Sequence, residues 1–287
     1  ARKVVTVLDL TSGKTYEELR EAHIMEYQGY FNRVRLDLGG REENVPTDEL
    51  LKQYRDGGKS AYLEELYFQY GRYLLISSSR PGTLPANLQG TWNCYDEAPW
   101  TAGYWHNINV QMNYWPAFVT NLAEMFEPYA AYNQAYMGLA QRHADRYIRD
   151  NYPEKLEEEE GENGWIIGTG AWPYTIEGMS NNSHSGPGTG AFTSMLFWDY
   201  YDFTRDREIL EKISYPVITS MSKFLSKVLV EKDGFLLTKY SASPEQEEDH
   251  HYYHTTGCAF DQQMIYENHK NIMFSYDACI SKWCGAE

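Results

Sequence analysis

Apolar residues recur at three- and four-residue spacing through most of the chain, and the runs that keep this period are divided by stretches that lose it. The start differs: residues 1–10, ARKVVTVLDL, alternate enough to predict a strand. Between 14 and 36, Leu19, His23, Tyr27, Tyr30 and Val34 share one side of a predicted helix, and residues 37–60 read as a polar, glycine-bearing connector. A stronger helix is predicted over 61–80, with Leu63, Leu66, Tyr70, Tyr73, Leu74 and Ser77 on one side and a stop at Arg80-Pro81-Gly82. Ile108, Met112, Trp115, Val119 and Leu122 then form an apolar helical stripe, in which Trp115 reads as core. Residues 115–152 predict one or two helices, with Pro116 suited to a first turn. Further helices are predicted at about 190–205, 207–230 and 260–283.

Three long segments, 81–107, 164–190 and 234–257, interrupt the helices and are rich in Gly, Pro and aromatic residues. Long loops between regular elements more often carry function than structure. There is no strand–helix–strand rhythm. Helical hairpins with such loops on one face predict a mainly α architecture, either a solenoid or a closed α/α toroid. No internal repeat is legible.

Composition narrows the partners. Of 287 residues, 42% are hydrophobic and 23% charged, as in soluble globular chains. The 25 tyrosines and 8 tryptophans suit both packed cores and clefts that stack on sugar rings. A net charge of −16 argues against nucleic acid or anionic lipid, which need clustered Lys and Arg. Part of that charge is the stretch EKLEEEEGEN, residues 154–163, read as a solvated loop. No apolar run approaches the ~20 residues of a membrane span. The chain opens without an initiator Met or an apolar signal segment, so it reads as trimmed or partial. Cys94, Cys258, Cys279 and Cys284 lack the spacing of a zinc ribbon or redox motif.

The segment YWHNINVQMNYW, residues 104–115, gathers Asn107, Asn109 and Asn113 among aromatic rings. Helix capping accounts for one asparagine well and for three poorly. The alternative is that Asn107 and Asn109, two apart, aim their amides at one point and orient a water molecule. An amide has negligible basicity, so a carboxylate would have to stand behind it. Among the acidic residues of 245–249, Glu245 follows the rigid Ser243-Pro244 pair, and a loop carboxyl held among aromatics can serve as a general acid. The others read as surface. His250 and His254 have the four-residue spacing of a zinc pair, but the helix this requires is not expected between Pro244 and Gly257, so sugar contact or plain surface is the better reading. Residues 181–190 are Gly-rich yet lack the Lys-Ser/Thr ending of a phosphate loop.

Two long runs, LYFQYGRYLLISSSRPGTLPANLQGTWN and NINVQMNYWPAFVTNLAEM, followed by SPEQ and AFDQQMIYENHKN, resemble the catalytic region of glycoside hydrolase family 95. The resemblance runs from about Tyr16 to the end. It implies an inverting α-L-fucosidase acting on α-1,2-linked fucose of an oligosaccharide or glycan, with no cofactor and no catalytic metal. By the same resemblance, residues 1–13 end an N-terminal β domain, 14–58 form a helical linker, and 59–287 supply the first part of an (α/α)6 barrel. The rest of the barrel is expected from C-terminal sequence. Glu245 matches the general acid, and Asn107 and Asn109 the paired asparagines that hold the water. The aspartate that makes them effective is expected beyond Glu287. Trp92, Trp100, Trp105, His106, Trp172 and His250 are the candidate sugar contacts.

The chain also departs from the family pattern. Trp105 stands two residues before Asn107, where a histidine or threonine is usual, and His106 follows it. After Trp165-Ile166-Ile167, the usual HHN block is replaced by GTG. Both regions would line the sugar. A related L-sugar glycosidase, such as an α-L-galactosidase, and a non-catalytic carbohydrate-binding relative are the alternatives; L-galactose differs from L-fucose by one hydroxyl, a change one contact can decide.

Overall fold

The computed structural model describes residues 2–178, 186–241, 243–248, 251–252 and 255–280. It is mainly helical, with short strand pairs between helices, as expected for part of a helical toroid. No helix among these residues is long and apolar enough to cross a membrane.

Residues up to Ser77, with Thr120–Leu122, make one compact unit. Its first element, α1 (Arg2–Thr11), is a helix where the alternation predicts a strand. A strand needs a hydrogen-bonding neighbour, and none of the described strands pairs with it; a helix satisfies its own backbone. Helix α2 (Tyr16–Phe31) starts on a capping box. Thr15 Oγ1 accepts from the Glu18 N–H at 3.2 Å, and the Glu18 carboxylate accepts from the Thr15 N–H at 2.8 Å. Helix α3 (Thr47–Arg55) lies inside the predicted connector and buries only Leu50.

Helix α4 (Ala61–Ser78) stands where predicted, but Tyr70 and Tyr73 are exposed, while Leu63, Arg72, Leu75 and Ile76 are buried. Arg72 explains part of that difference. Its guanidinium donates to the carbonyls of Phe31 at 2.7 Å, Val34 at 2.9 Å and Tyr30 at 3.1 Å. The last carbonyls of α2 have no partner within their own helix, and a cation there also meets the negative end of the helix dipole.

Residues 78–119 and those from Ala123 onward form the second unit. Helix α5 (Asn109–Val119) buries Val110, Gln111, Tyr114, Ala117 and Phe118. Most of the predicted stripe is therefore on its outer side: Ile108, Met112, Trp115 and Val119 are 37% to 68% exposed, and Trp115 is not core, whereas Leu122, past the end of the helix, is buried. Both faces of α5 are apolar, and tertiary packing selects the one rich in aromatic partners. Phe126, fully buried, meets Phe118 and Phe197 at 5.3 Å and Tyr200 at 5.2 Å between ring centroids, all edge-on. Such pairs each contribute about 0.5–1.5 kcal/mol beyond the area they bury.

Helix α6 (Glu127–Asn151) follows with Pro128 in its first turn. Helix α7 (Gly188–Thr204) packs against α9 (Tyr215–Val228), which a single turn, α8 (Arg207–Ile209), and a π-turn at Leu210–Ser214 precede. It also packs against α10 (Ala259–Ile280). Buried Asn268 on α10 ties the three together, donating to Ser194 Oγ at 2.9 Å and to the Ile218 carbonyl at 3.4 Å. Strands interrupt all three of the predicted loops. β1 (Tyr104–Trp105), β2 (Gly170–Trp172) and β3 (Thr175–Ile176) form an antiparallel sheet in that order, with Trp105 opposite Gly170 and Trp172 opposite Thr175. β4 (Leu229–Lys232) and β5 (Phe235–Thr238) form a hairpin. β6 (Glu247–Glu248) and β7 (His251–Tyr252) form another beyond Glu245.

Candidate active site

The cleft is built where the three long loops meet the start of α5. Residues Trp100, Thr101 and Ala102 carry φ values of 49°, 55° and 49°. Three successive side chains in the left-handed region are costly, and such strain concentrates at functional sites. This bend leaves Trp100 73% exposed on the cleft wall. The chain then enters β1, whose pairing with β2 continues in the His106 N–H to Thr169 carbonyl bond at 2.8 Å. The register fixes where the next residues face.

Asn107 and Asn109 both line a cavity of about 250 Å³, with Leu88, Trp100, Trp105, Thr169 and Glu245. Asn107 Nδ2 donates to Glu245 Oε1 at 2.8 Å, joining residues 138 apart in sequence. A second hollow of about 430 Å³ shares Asn107 and Glu245 but is otherwise apolar, walled by Ile108, Phe192, Pro244, Phe260 and Met264. The amide–carboxylate bond thus stands on the partition between a polar, aromatic hollow and an apolar one. Asn113 has a different task. Its amide donates to the carbonyls of Ala86 at 3.4 Å and Asn87 at 3.3 Å, so it pins the preceding loop and lies outside the cavity wall.

The tryptophans divide in the same way. Trp100 and Trp105 line the cavity. Trp172 braces Trp105 with a ring edge at 6.0 Å between centroids, donates its indole N–H to Thr101 Oγ1 at 2.9 Å, and lines a separate groove with Tyr132, Tyr136 and Tyr174. Trp92 folds over Gly90 in its own loop, away from the cavity lining. His106, expected at the sugar, has no exposed surface: its Nε2 pairs with Tyr129 Oη at 2.8 Å, and burial holds its pKa down at about 4. It is a neutral core imidazole under the site, because β1 turns alternate side chains to opposite faces and Trp105 takes the cleft side. His250 and His254 lie outside the described residues, as do the side chains of Glu247 and Glu248. Among the described residues no group of three His, Cys, Asp or Glu could hold a metal.

Leu88 and Thr169 complete the wall, and no sequence signal singles them out, although Thr169 is the centre of the GTG that stands where the family pattern has HHN. Two buried polar atoms of this wall, Trp105 Nε1 and Thr169 Oγ1, have no hydrogen-bond partner. Orphaned polar atoms at the edge of a cavity are the ones a polar ligand can satisfy after a small side-chain adjustment. Chemically, the arrangement offers one carboxyl, two neutral amides and aromatic walls, a set suited to an uncharged, hydroxyl-rich ligand.

The catalytic domain of glycosyl hydrolase family 95 matches residues 15–281. The chain is 32% identical over 292 residues to "Probable alpha-fucosidase A" of Aspergillus niger, covering 96% of this chain and 34% of that protein. It is 36% identical over 255 residues to "Alpha-L-fucosidase 2" of Arabidopsis thaliana, covering 85% of this chain and 29% of that one. A shorter match, 39% over 131 residues, links it to "Probable alpha-fucosidase A" of Aspergillus oryzae. The chain thus spans about a third of the length of the curated relatives that match most of it. A match across nearly the whole chain, reaching all three loops that build the cleft, leaves one assignment: this chain belongs to glycosyl hydrolase family 95, within its catalytic domain.

Proposed function

We propose that the protein is an inverting glycosidase that releases a terminal α-L-fucosyl residue, with α-1,2 linkage as the preferred bond. The observation that carries this reading is the convergence of Asn107, Asn109 and Glu245 on one aromatic-walled cavity. Its 250 Å³ is below the roughly 300–1,000 Å³ of clefts for larger ligands, which favours a single sugar ring. The names of the fungal and plant relatives favour fucose.

Inversion requires an acid on the leaving oxygen and an activated water on the opposite face of the ring. Glu245 is the acid. Asn107 and Asn109 hold the water, and a carboxylate expected from sequence after Glu287 polarises it, since amides cannot take its proton. The Asn107–Glu245 bond opens when the sugar enters, because an inverting pair needs room for substrate and water between its arms. The exposed apolar side of α5 fits the same reading: further helices of a closed toroid would cover Ile108, Met112 and Val119.

The test is fucose release from 2′-fucosyllactose by the full-length gene product, with proton NMR following the anomer formed first. β-L-Fucose appearing first supports the proposal, and α-L-fucose first refutes inversion. Cleavage of L-galactosides alone would keep the mechanism and change the sugar. Binding without release from any glycan would establish the non-catalytic alternative.

A further inference from the structure

Asp261, in the first turn of α10, is a carboxylate with no exposed surface that the proposed chemistry does not use. Its Oδ1 accepts from the Gly188 N–H at 2.7 Å, at the positive N-terminal end of α7. Its Oδ2 accepts from Ser241 Oγ at 2.5 Å. Ser241 in turn accepts from the Cys258 N–H at 3.0 Å, and its backbone pairs with Thr255 in both directions, at 3.0 and 2.7 Å. Ser241 and Thr255 are therefore the neck of the loop that carries Glu245. The packing around the carboxylate is close: a Cβ at Gly186 or Gly188 would stand 2.6 or 2.7 Å from an Asp261 oxygen. One buried side chain thus joins the starts of two helices to the base of the acid's loop.

We infer that Asp261 is a positioning residue for Glu245, acting through the Ser241 hydroxyl. The inference rests on Glu245 being the acid. Ser241 precedes Glu245 by four residues, and Glu245 itself sits in a turn closed by the Gln246 N–H to Ser243 carbonyl bond at 2.9 Å. So short a path leaves little freedom between the clamp and the carboxyl. A proton donor must stand within hydrogen-bond reach of the leaving oxygen, and a displacement of about 1 Å can cost ~100-fold in rate. Fold stability alone would also account for a buried carboxylate, so the distinguishing measurement must read proton donation.

The experiment compares turnover of 2′-fucosyllactose, a poor leaving group, with that of an activated aryl α-L-fucoside in the full-length protein. The variants are Ser241→Ala, Ser241→Thr, Asp261→Asn and the double Ser241→Ala/Asp261→Asn, with Glu245→Gln as reference. The expected result is a kcat loss of about ten- to a hundredfold on the disaccharide for Ser241→Ala, with KM and aryl turnover little changed. Ser241→Thr, which keeps the hydroxyl, restores most of it. Asp261→Asn follows the same pattern, and the double variant loses less than the product of the two singles. Equal losses on both substrates, or none, in a folded Ser241→Ala protein would overturn the inference. Ser241→Ala alone decides the matter where Asp261→Asn does not fold. If Glu245→Gln itself shows no leaving-group dependence, the acid assignment fails, and this inference with it.

Discussion

Acid should weaken this fold through His106, and the size of the effect follows from its surroundings. The ring is fully buried, bonded through Nε2 to Tyr129, and its pKa is pushed down from 6.5 to about 4. The unfolded chain binds a proton near pH 6.5 while the folded chain refuses it until about pH 4, so stability is full above pH 6.5 and is lost as pH falls through that window. The linkage relation gives a loss of about 2 kcal/mol by pH 5 and about 3 kcal/mol by pH 4. His143 and His269, also lowered by burial, act with the same sign. Asp199 opposes them: burial and Asp202 raise its carboxyl to about 6, so it gains stability as pH falls. The net wild-type curve therefore mixes signs, and a difference measurement is needed. Urea denaturation of wild type and His106→Gln between pH 7 and 5 supplies it. Gln keeps a hydrogen-bonding group near Tyr129 and cannot titrate. The gap between the two stabilities should shrink by about 2 kcal/mol over that range. Parallel curves would mean that the imidazole is not held neutral in the fold, and the reasoning would fail.

Glu245→Gln should lower turnover of 2′-fucosyllactose by about 10²–10⁴ and spare activated aryl fucosides, as read by kcat on each. Arg72→Met leaves three carbonyls around the end of α2 without their cation, a loss of roughly 3 kcal/mol by chemical denaturation. Gly164→Ala should cost more than about 3 kcal/mol, since φ is +78° and the new Cβ would stand 2.3 Å from the Ser220 carbonyl oxygen. Gly234→Ala, at φ +81° with open space around it, should cost only the left-handed strain of about 1 kcal/mol by the same assay.

How far the sequence can be read depends on what each signal measures. Periodicity locates α2, α4, α6, α7 and α10 because long helices repeat their pattern over several turns. It fails on which side of α5 is buried. Val110, Tyr114, Ala117 and Phe118 also fall at i, i+4, i+7 and i+8, and spacing cannot rank two apolar faces. Helix α3 escapes the pattern because a single buried leucine leaves no stripe to see. The β4–β5 hairpin has a readable signal that the helical pattern masks: Asp233-Gly234, with φ 53° and 81°, is the dipeptide a two-residue turn of the primed kind requires. Within the site, Asn107 and Asn109 are separable from Asn113 by position relative to the helix. Their meeting with Glu245 is not, since no local rule joins residues 138 apart; the family resemblance supplies it. Asp261 is visible in FDQQ but has no motif to explain it.

The hydrogen bond between Asn107 and Glu245 also makes the cleft discriminating. An arriving molecule meets a closed circuit and must exchange it for another, returning an acceptor to the amide and a donor to the carboxyl. Water does both at little cost. A ring of suitable shape that lacks hydroxyls does neither, and would leave two polar groups stranded against aromatic walls. On the proposed reading of this site, admission is decided first by the valence of the visitor's hydrogen bonds, and only afterwards by its outline.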